Sequence, residues 1–306
     1  MSLLPRNGGD TGQIKPEMVF AALIGCTFLW GWSFPLTKMM TGAFPPITLA
    51  ALRGGIGAAT LILWFLVMRQ SVLPQSRKEV LDWIVLGSLN GWIPNLLVAY
   101  ATQFLPAGQA AMIQACGPLL TALMANQLFA DEKLTATRLI GILIGFAGVG
   151  LLVGPRMVGA GATPLAATAM LGVAFCYASG NIYVRMMPVA DPKRLALGQQ
   201  ICSAIAATEF TLATVGAASF AAVPANILPI LGLGMIATAA PIVIFMYILR
   251  AAGPTRASLT GYMVPAWAVA ISAVVLGETI GFREGLAGAI ILAGVYIVTR
   301  AKARTV

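Results

Sequence analysis

Ten long apolar stretches, joined by short polar loops, constrain this chain more than any other feature. They cover residues 18–40, 46–68, 79–104, 107–130, 138–154, 164–187, 195–219, 227–250, 256–276 and 284–300. A helix needs about 20 mainly apolar residues to cross the roughly 30 Å hydrocarbon core of a bilayer. The stretches are apolar on every face and do not alternate as barrel strands do. The sequence therefore predicts an all-α membrane protein with ten transmembrane helices.

The composition excludes several classes of protein. Only 9% of the residues are charged and 59% are apolar, which leaves too few ionised groups to keep a soluble globule dispersed. The chain contains no histidine, so histidine triads and histidine-ligated zinc sites are excluded. The four cysteines lack CxxC spacing, and no GxxxxGK[ST] phosphate loop is present. We expect no cofactor, no metal and no enzymatic activity, with any energy coming from a gradient or an external partner.

The charged residues alternate between the two sides of the predicted bundle. Fifteen Lys and Arg residues share one side: Arg6, Lys15, Arg69, Arg77, Lys78, Lys133, Arg138, Arg185, Lys193, Arg194, Arg250, Arg256, Arg300, Lys302 and Arg304. The other side carries Lys38, Arg156 and Arg283, and Arg53 lies inside a helix. Because basic loops stay in the cytoplasm, both termini are predicted to be cytoplasmic. Basic residues this scattered do not indicate binding to nucleic acid, so the predicted surroundings are the lipid bilayer.

The second half of the chain repeats the first at an offset of 147 residues. The offset aligns Trp30 with Tyr177, Lys38 with Arg185, Pro94 with Pro241, Tyr100 with Tyr247 and Pro118 with Pro265; after a shift to 146, Glu132 aligns with Glu278. We expect two five-helix repeats, 18–154 and 164–300, between cytoplasmic tails 1–17 and 301–306. Five crossings is an odd number, so the second repeat is inverted, an arrangement that recurs in transporters.

These residues carry a family resemblance that covers essentially the whole chain. The motifs are Trp30-Gly31-Trp32-Ser33-Phe34, Arg53, Asp131-Glu132, Pro118, Pro265 and Leu276-Gly277-Glu278 with Gly294-Val295. In this order and spacing they resemble the drug/metabolite transporter superfamily, in its EamA-type branch with ten helices and two repeats. The resemblance implies a location in the bacterial inner membrane and export of metabolites or amino acids from the bacterial cytoplasm. Aromatic amino-acid exporters are the most similar type.

Polar and aromatic side chains inside the predicted helices are the candidates for a substrate path. They are Trp30, Ser33, Asn90, Asn95, Tyr100, Gln114, Tyr177, Asn181, Tyr183, Tyr247, Thr260, Tyr262 and Trp267. Polar groups in hydrocarbon are costly and usually face a cavity or one another. Such residues also join helices through hydrogen bonds, and for any single residue that alternative stays open. A path rich in Trp and Tyr favours neutral or zwitterionic organic solutes as the small-molecule substrate.

Two ionisable residues lie at similar depths within the predicted helices, Arg53 and Glu209. One hypothesis is that Arg53 attracts a substrate carboxylate while Glu209 exchanges a proton. The alternatives are a structural ion pair between them, or Arg53 bound to helix-end carbonyls.

Prolines and glycines indicate where the helices bend and pack. Pro94, Pro118, Pro241 and Pro265 interrupt backbone hydrogen bonding, and they are candidates for hinges or for permanent bends. The spacings Gly141-xxx-Gly145 and Gly277-xxx-Gly281-xxx-Gly285 permit close helix contact, so the fifth and tenth helices are expected to form a packing scaffold within a monomer or a weak homodimer.

The functional prediction is a secondary exporter of small organic metabolites, foremost aromatic or other apolar amino acids, working by alternating access. A passive channel or facilitator for neutral solutes, and an exporter of drugs or nucleotide-type metabolites, are the competing interpretations.

Overall fold

A computed structural model of the chain describes residues 16–130, 134–157, 162–187, 191–257 and 260–300, which are almost entirely helical and contain no β-strand. Helices occupy all ten predicted segments: α1 (Pro16–Gly31 and Ser33–Met40), α2 (Pro46–Val67), α3 (Arg77–Gly87, Ser88–Trp92 and Ile93–Phe104), α4 (Ala107–Gln114 and Gly117–Leu128), α5 (Ala136–Met157), α6 (Ala162–Met186), α7 (Pro192–Thr214), α8 (Ile227–Leu231, Gly232–Ala239 and Ala240–Ala257), α9 (Thr260–Leu276) and α10 (Phe282–Arg300). The Asp131-Glu132 motif and nearly all of both predicted tails lie outside the described residues.

The described helices have the dimensions and the surface of a membrane protein. Six of them, α1, α2, α3, α6, α8 and α10, are long and apolar enough to cross a bilayer, and α5 and α9 contain shorter apolar stretches. Large apolar side chains cover the outside, as at Phe20, Leu63, Val274 and Phe282. Such a surface is stable against lipid tails but not against water. The predicted helical membrane fold is confirmed.

The packing of the helices follows the sequence repeat. Equivalent helices of the two halves contact each other, α2 with α7 and α5 with α10. Helix α6 packs on α3 and α4, just as its equivalent α1 packs on α8 and α9. Each contact thus has a counterpart under exchange of the halves, as expected for two five-helix repeats inverted relative to each other.

Glycines allow α5 and α10 to pack backbone against backbone. A Cβ atom at Gly294 would lie 2.6 Å from the carbonyl oxygen of Gly141, and one at Gly148 would lie 2.8 Å from the amide nitrogen of Ile291. The predicted scaffold of the fifth and tenth helices is therefore formed. On α10 the glycine that contacts α5 is Gly294, and not one from the predicted run that starts at Gly277. Gly277 lies in the turn after α9 and has φ +65°.

Three of the four predicted proline positions coincide with a break in a helix. Ile93–Phe104, which contains Pro94, follows a π-helical turn in which Gly91 has φ −122° and ψ −105°. Pro241 directly follows the π-helical segment Gly232–Ala239. A proline lacks the amide hydrogen and crowds the carbonyl four residues earlier, so the preceding turn widens.

The second proline pair differs between the repeats. Pro118 follows the break in α4 between Gln114 and Gly117. Its equivalent, Pro265, lies within the continuous helix α9. The two repeats therefore have different shapes at this pair of positions.

Candidate functional site

A cavity of about 790 Å³ lies between the two repeats. Side chains from α1, α2, α3, α4, α6, α7, α8 and α9 line it. None of the described residues that line the cavity lies on the scaffold helices α5 and α10. A volume of this size is typical of small-molecule sites.

The cavity reaches one end of the bundle and stops short of the other. Its lining includes Met187 and Pro192, at the end of α6 and the start of α7, and Thr260, at the start of α9. These helix ends belong to the side that carries most of the Lys and Arg residues, which we name the basic face. Toward the opposite face the lining ends at residues inside helices, such as Ser33 and Arg53.

Eight of the thirteen predicted path residues line the cavity: Trp30, Ser33, Asn90, Asn95, Gln114, Tyr177, Asn181 and Thr260. The first repeat contributes five of them and the second repeat three. The side chain of Tyr262 lies outside the described residues. The structure thus brings together aromatic rings, amides and hydroxyls from both halves of the chain.

Four predicted path residues have other surroundings. The Tyr183 hydroxyl donates a hydrogen bond to Asp82 Oδ1 at 2.7 Å and joins α6 to α3 near the basic face. The Tyr100 ring packs against Phe104. Trp267 lies at the α1–α9 contact, with its ring edge-on to Phe28 at 5.2 Å. Tyr247 is 38% exposed on the outside of the bundle. These four are therefore helix-contact or surface residues. The sequence repeat predicts how deep in the membrane each residue lies, but not the face of the helix on which it lies.

Arg53 is the one charged residue among the described residues that line the cavity. Its Nε donates a hydrogen bond to Thr238 Oγ1 at 3.0 Å, and the Thr238 hydroxyl donates in turn to the Leu233 carbonyl at 2.7 Å. In the described part of the chain the two terminal nitrogens of Arg53 have no hydrogen-bond partner. A guanidinium held in this way presents a fork that matches the two oxygens of a carboxylate.

Glu209 does not share this site. Its side chain is exposed on the outside of α7, whereas Arg53 is half-buried and faces the cavity. The structural ion pair that we considered between these two residues is not formed in the described structure. Similar depth in the membrane did not bring them together, since they lie on differently directed faces of α2 and α7.

Sequence reasoning missed two amides of the lining, Gln199 and Gln200 of α7. Gln200 is 5% exposed, and its Oε1 has no hydrogen-bond partner among the described residues. The available signal was a pair of adjacent amides inside a predicted transmembrane helix, where polar groups are costly.

Charged side chains bind two helix ends at the opposite face. Lys38 Nζ, near the end of α1, donates to the carbonyls of Thr102 and Leu105 at 2.5 and 3.1 Å, where α3 ends. The Glu278 carboxylate, just after α9, accepts from the amides of Ala107 and Gly108 at 2.6 and 3.0 Å, where α4 begins. A cation at a helix C-terminus and an anion at an N-terminus are both favourable. The α3–α4 turn is thereby bound to α1 and to the α9–α10 turn.

An apolar cluster fills the space at the same end of the bundle. Met40, Phe44, Leu49 and Ile230 are each at most 3% exposed and pack together between α1, α2 and α8. Together with the two charged contacts, this cluster separates the cavity from the opposite face.

Comparisons with known proteins agree with this architecture. The sequence profile of the EamA-like transporter family matches residues 18–154 and 164–300. The uncharacterized inner membrane transporter YedA of Escherichia coli K12 is 30% identical over 304 residues, covering 95% of this chain and 92% of YedA. The aromatic amino acid exporter YddG of Ancylobacter novellus is 32% identical over 165 residues, 53% of this chain and 56% of YddG. One solved crystal structure has a TM-score of 0.62 at 21% identity and covers 92% of this chain and 97% of its own.

Proposed function

The chain belongs to the EamA-like transporter family, and we propose that it exports aromatic and other apolar amino acids from the bacterial cytoplasm by alternating access. Membership in this family identifies a membrane transporter, in accord with the predicted superfamily. The substrate class, the direction and the mechanism are our proposal.

The chemistry of the cavity is the observation that carries the proposal. Among its described lining residues there is one cation, Arg53, and no carboxylate. Trp30 and Tyr177 add aromatic surface, and apolar side chains such as Phe245 complete the lining. A fixed cation among rings favours a substrate that has a carboxylate and an apolar side chain. A permanently cationic drug would face Arg53 with no compensating anion. The partial relationship to an aromatic amino acid exporter supports the same class.

The two ends of the cavity support a state that is open toward the cytoplasm. The excess of basic residues favours a cytoplasmic basic face, and the cavity lining reaches that face. The contacts of Lys38 and Glu278 close the opposite end. A second state, with the ends exchanged, would bring the substrate to the periplasm, as inverted repeats permit.

The repeat-related prolines are suited to act as hinges for the change between the two states. Pro94 and Pro241 both follow π-helical turns, where backbone hydrogen bonds are already rearranged. Pro118 and Pro265 differ in the shape of their helices, which fits two repeats that exchange shapes between states.

Transport by purified protein in liposomes tests the proposal. The panel contains labelled phenylalanine, tryptophan, leucine and lysine and a cationic drug, each with and without an imposed pH gradient. We expect saturable uptake of the apolar amino acids and none of the cationic drug. Uptake of the drug without any amino acid would contradict the proposal.

A further inference from the structure

An unsatisfied acceptor lies beside the cavity in α7. Gln200 is one of the cavity-lining residues, yet it is 5% exposed and its Oε1 accepts no hydrogen bond from the described residues. A buried amide oxygen without a partner costs free energy, and native proteins rarely contain one without a reason. The geometry therefore favours an occupant of the cavity that brings a hydrogen-bond donor.

Gln200 belongs to the same cluster as Arg53. Gly57 lies one turn after Arg53 on α2, and a Cβ atom there would be 3.3 Å from Thr238 Cγ2 and 3.8 Å from Gln200 Cδ. Thr238 is also the residue that holds Arg53 through its Nε. The side chains of α2, α7 and α8 thus converge around Gly57, which leaves room for them by having no side chain.

The two groups have complementary roles toward one ligand head group. The Thr238 bond leaves the terminal nitrogens of Arg53 available to the cavity, and they can donate two parallel hydrogen bonds to a carboxylate. The oxygen of Gln200 can accept one from a neighbouring ammonium. In an α-amino acid these two charged groups are attached to the same carbon, so one small cluster can contact both.

We propose that Arg53 and Gln200 together form the binding site for an α-amino-carboxylate head group, with Gln200 distinguishing amino acids from the corresponding deaminated acids. This assignment rests on the proposed export of amino acids and deepens it. Thr238 is a positioning residue, because it holds the guanidinium without touching the ligand.

Paired ligands that differ only in the amino group provide the test. Binding of phenylalanine and of 3-phenylpropanoate to the detergent-solubilised full-length protein is measured by titration calorimetry, and leucine with 4-methylpentanoate forms a second pair. We expect the unmodified protein to bind each amino acid about 10- to 100-fold more tightly than its deaminated acid, as for one hydrogen bond to a charged group.

The variant Gln200→Met keeps the side-chain length and removes the acceptor. It is expected to weaken amino-acid binding about 10- to 100-fold and to change binding of the deaminated acids by less than about threefold. Gln200→Leu serves as a second variant if the first is poorly folded. Gln127→Met is the control: it removes an amide that is exposed near the end of α4, outside the described cavity lining, and it should keep the ratio of the two affinities.

The outcomes separate the two proposals. If the unmodified protein binds both members of a pair equally, or if Gln200→Met leaves their ratio unchanged, the head-group assignment is wrong while amino-acid export can stand. If Gln200→Met weakens both ligands equally, the residue is structural and the assignment also fails. If the protein neither binds nor transports any amino acid, the proposed function itself fails.

Discussion

The contact between Glu278 and the start of α4 leads to a quantitative prediction about the two states. Its carboxylate accepts from the amides of Ala107 and Gly108 at 2.6 and 3.0 Å. Glu278→Gln keeps one acceptor oxygen, but it removes the charge and turns an NH₂ group toward an amide donor. One charge-assisted hydrogen bond is therefore lost, at a cost of about 1.5–3 kcal/mol. This bond helps to close the opposite end of the cavity. Its loss should therefore shift the equilibrium toward the state that is open to the periplasm, the outward-open state, by about 10- to 150-fold.

Cysteine accessibility measures this shift. In a variant that lacks the four native cysteines, Ser33→Cys places a thiol in the cavity lining nearest the closed end. A membrane-impermeant maleimide added outside spheroplasts reaches this thiol only in the outward-open state. We expect Glu278→Gln to raise the labelling rate about tenfold or more.

A carboxylate away from the closed end provides the control. Glu209 is exposed on the outside of α7, so Glu209→Gln should leave the labelling rate unchanged. If Glu278→Gln labels no faster than the parent, Glu278 does not hold the closed end.

Three further predictions concern other parts of the molecule. Arg53→Ala should weaken binding of carboxylate substrates at least about 100-fold in calorimetry, because a bidentate charge-assisted contact is lost; unaltered binding would remove Arg53 from the site. Glu209→Gln should transport at the parent rate across the pH range in liposomes, since Glu209 is exposed outside the cavity, and an altered pH profile would restore its proton-exchange role. Gly294→Ala should lower the melting temperature in detergent, because the new Cβ would lie 2.6 Å from the Gly141 carbonyl. Gly285→Ala, with no atom within 4 Å, is the control for this substitution, and equal melting of the two variants would contradict the packing.

The fold was predictable because it depends on the length of the apolar segments and on the offset between the two repeats. Apolar segments long enough to span a bilayer predicted the helices, and the register that aligns Pro94 with Pro241 predicted the repeat. The same prolines also marked where α3 and α8 are interrupted. The sequence could not show that Pro118 follows a break in α4 whereas Pro265 lies within the continuous helix α9. Both prolines occupy the same position in the repeat, and the helices differ only in their folded shape.

The site was predictable only in part. Lipid tails are as apolar as a protein interior, so a transmembrane helix does not reveal from hydropathy which face is turned inward. Asn181 lines the cavity, whereas Tyr183, two residues later, binds Asp82. Arg53 and Glu209 looked equivalent by depth, yet one faces the cavity and the other is exposed. Polarity located the helices of the site, but only packing selects the side chains.

Counterflow in liposomes tests alternating access most directly. Vesicles that contain the protein and a high concentration of unlabelled phenylalanine are diluted into a trace of labelled phenylalanine. A carrier that exposes one cavity to each side in turn exchanges the two pools, so the label should accumulate transiently above its equilibrium level, and Arg53→Ala should abolish this overshoot. Label that rises steadily to equilibrium without overshoot, at a rate proportional to its concentration, would indicate a channel and contradict the account.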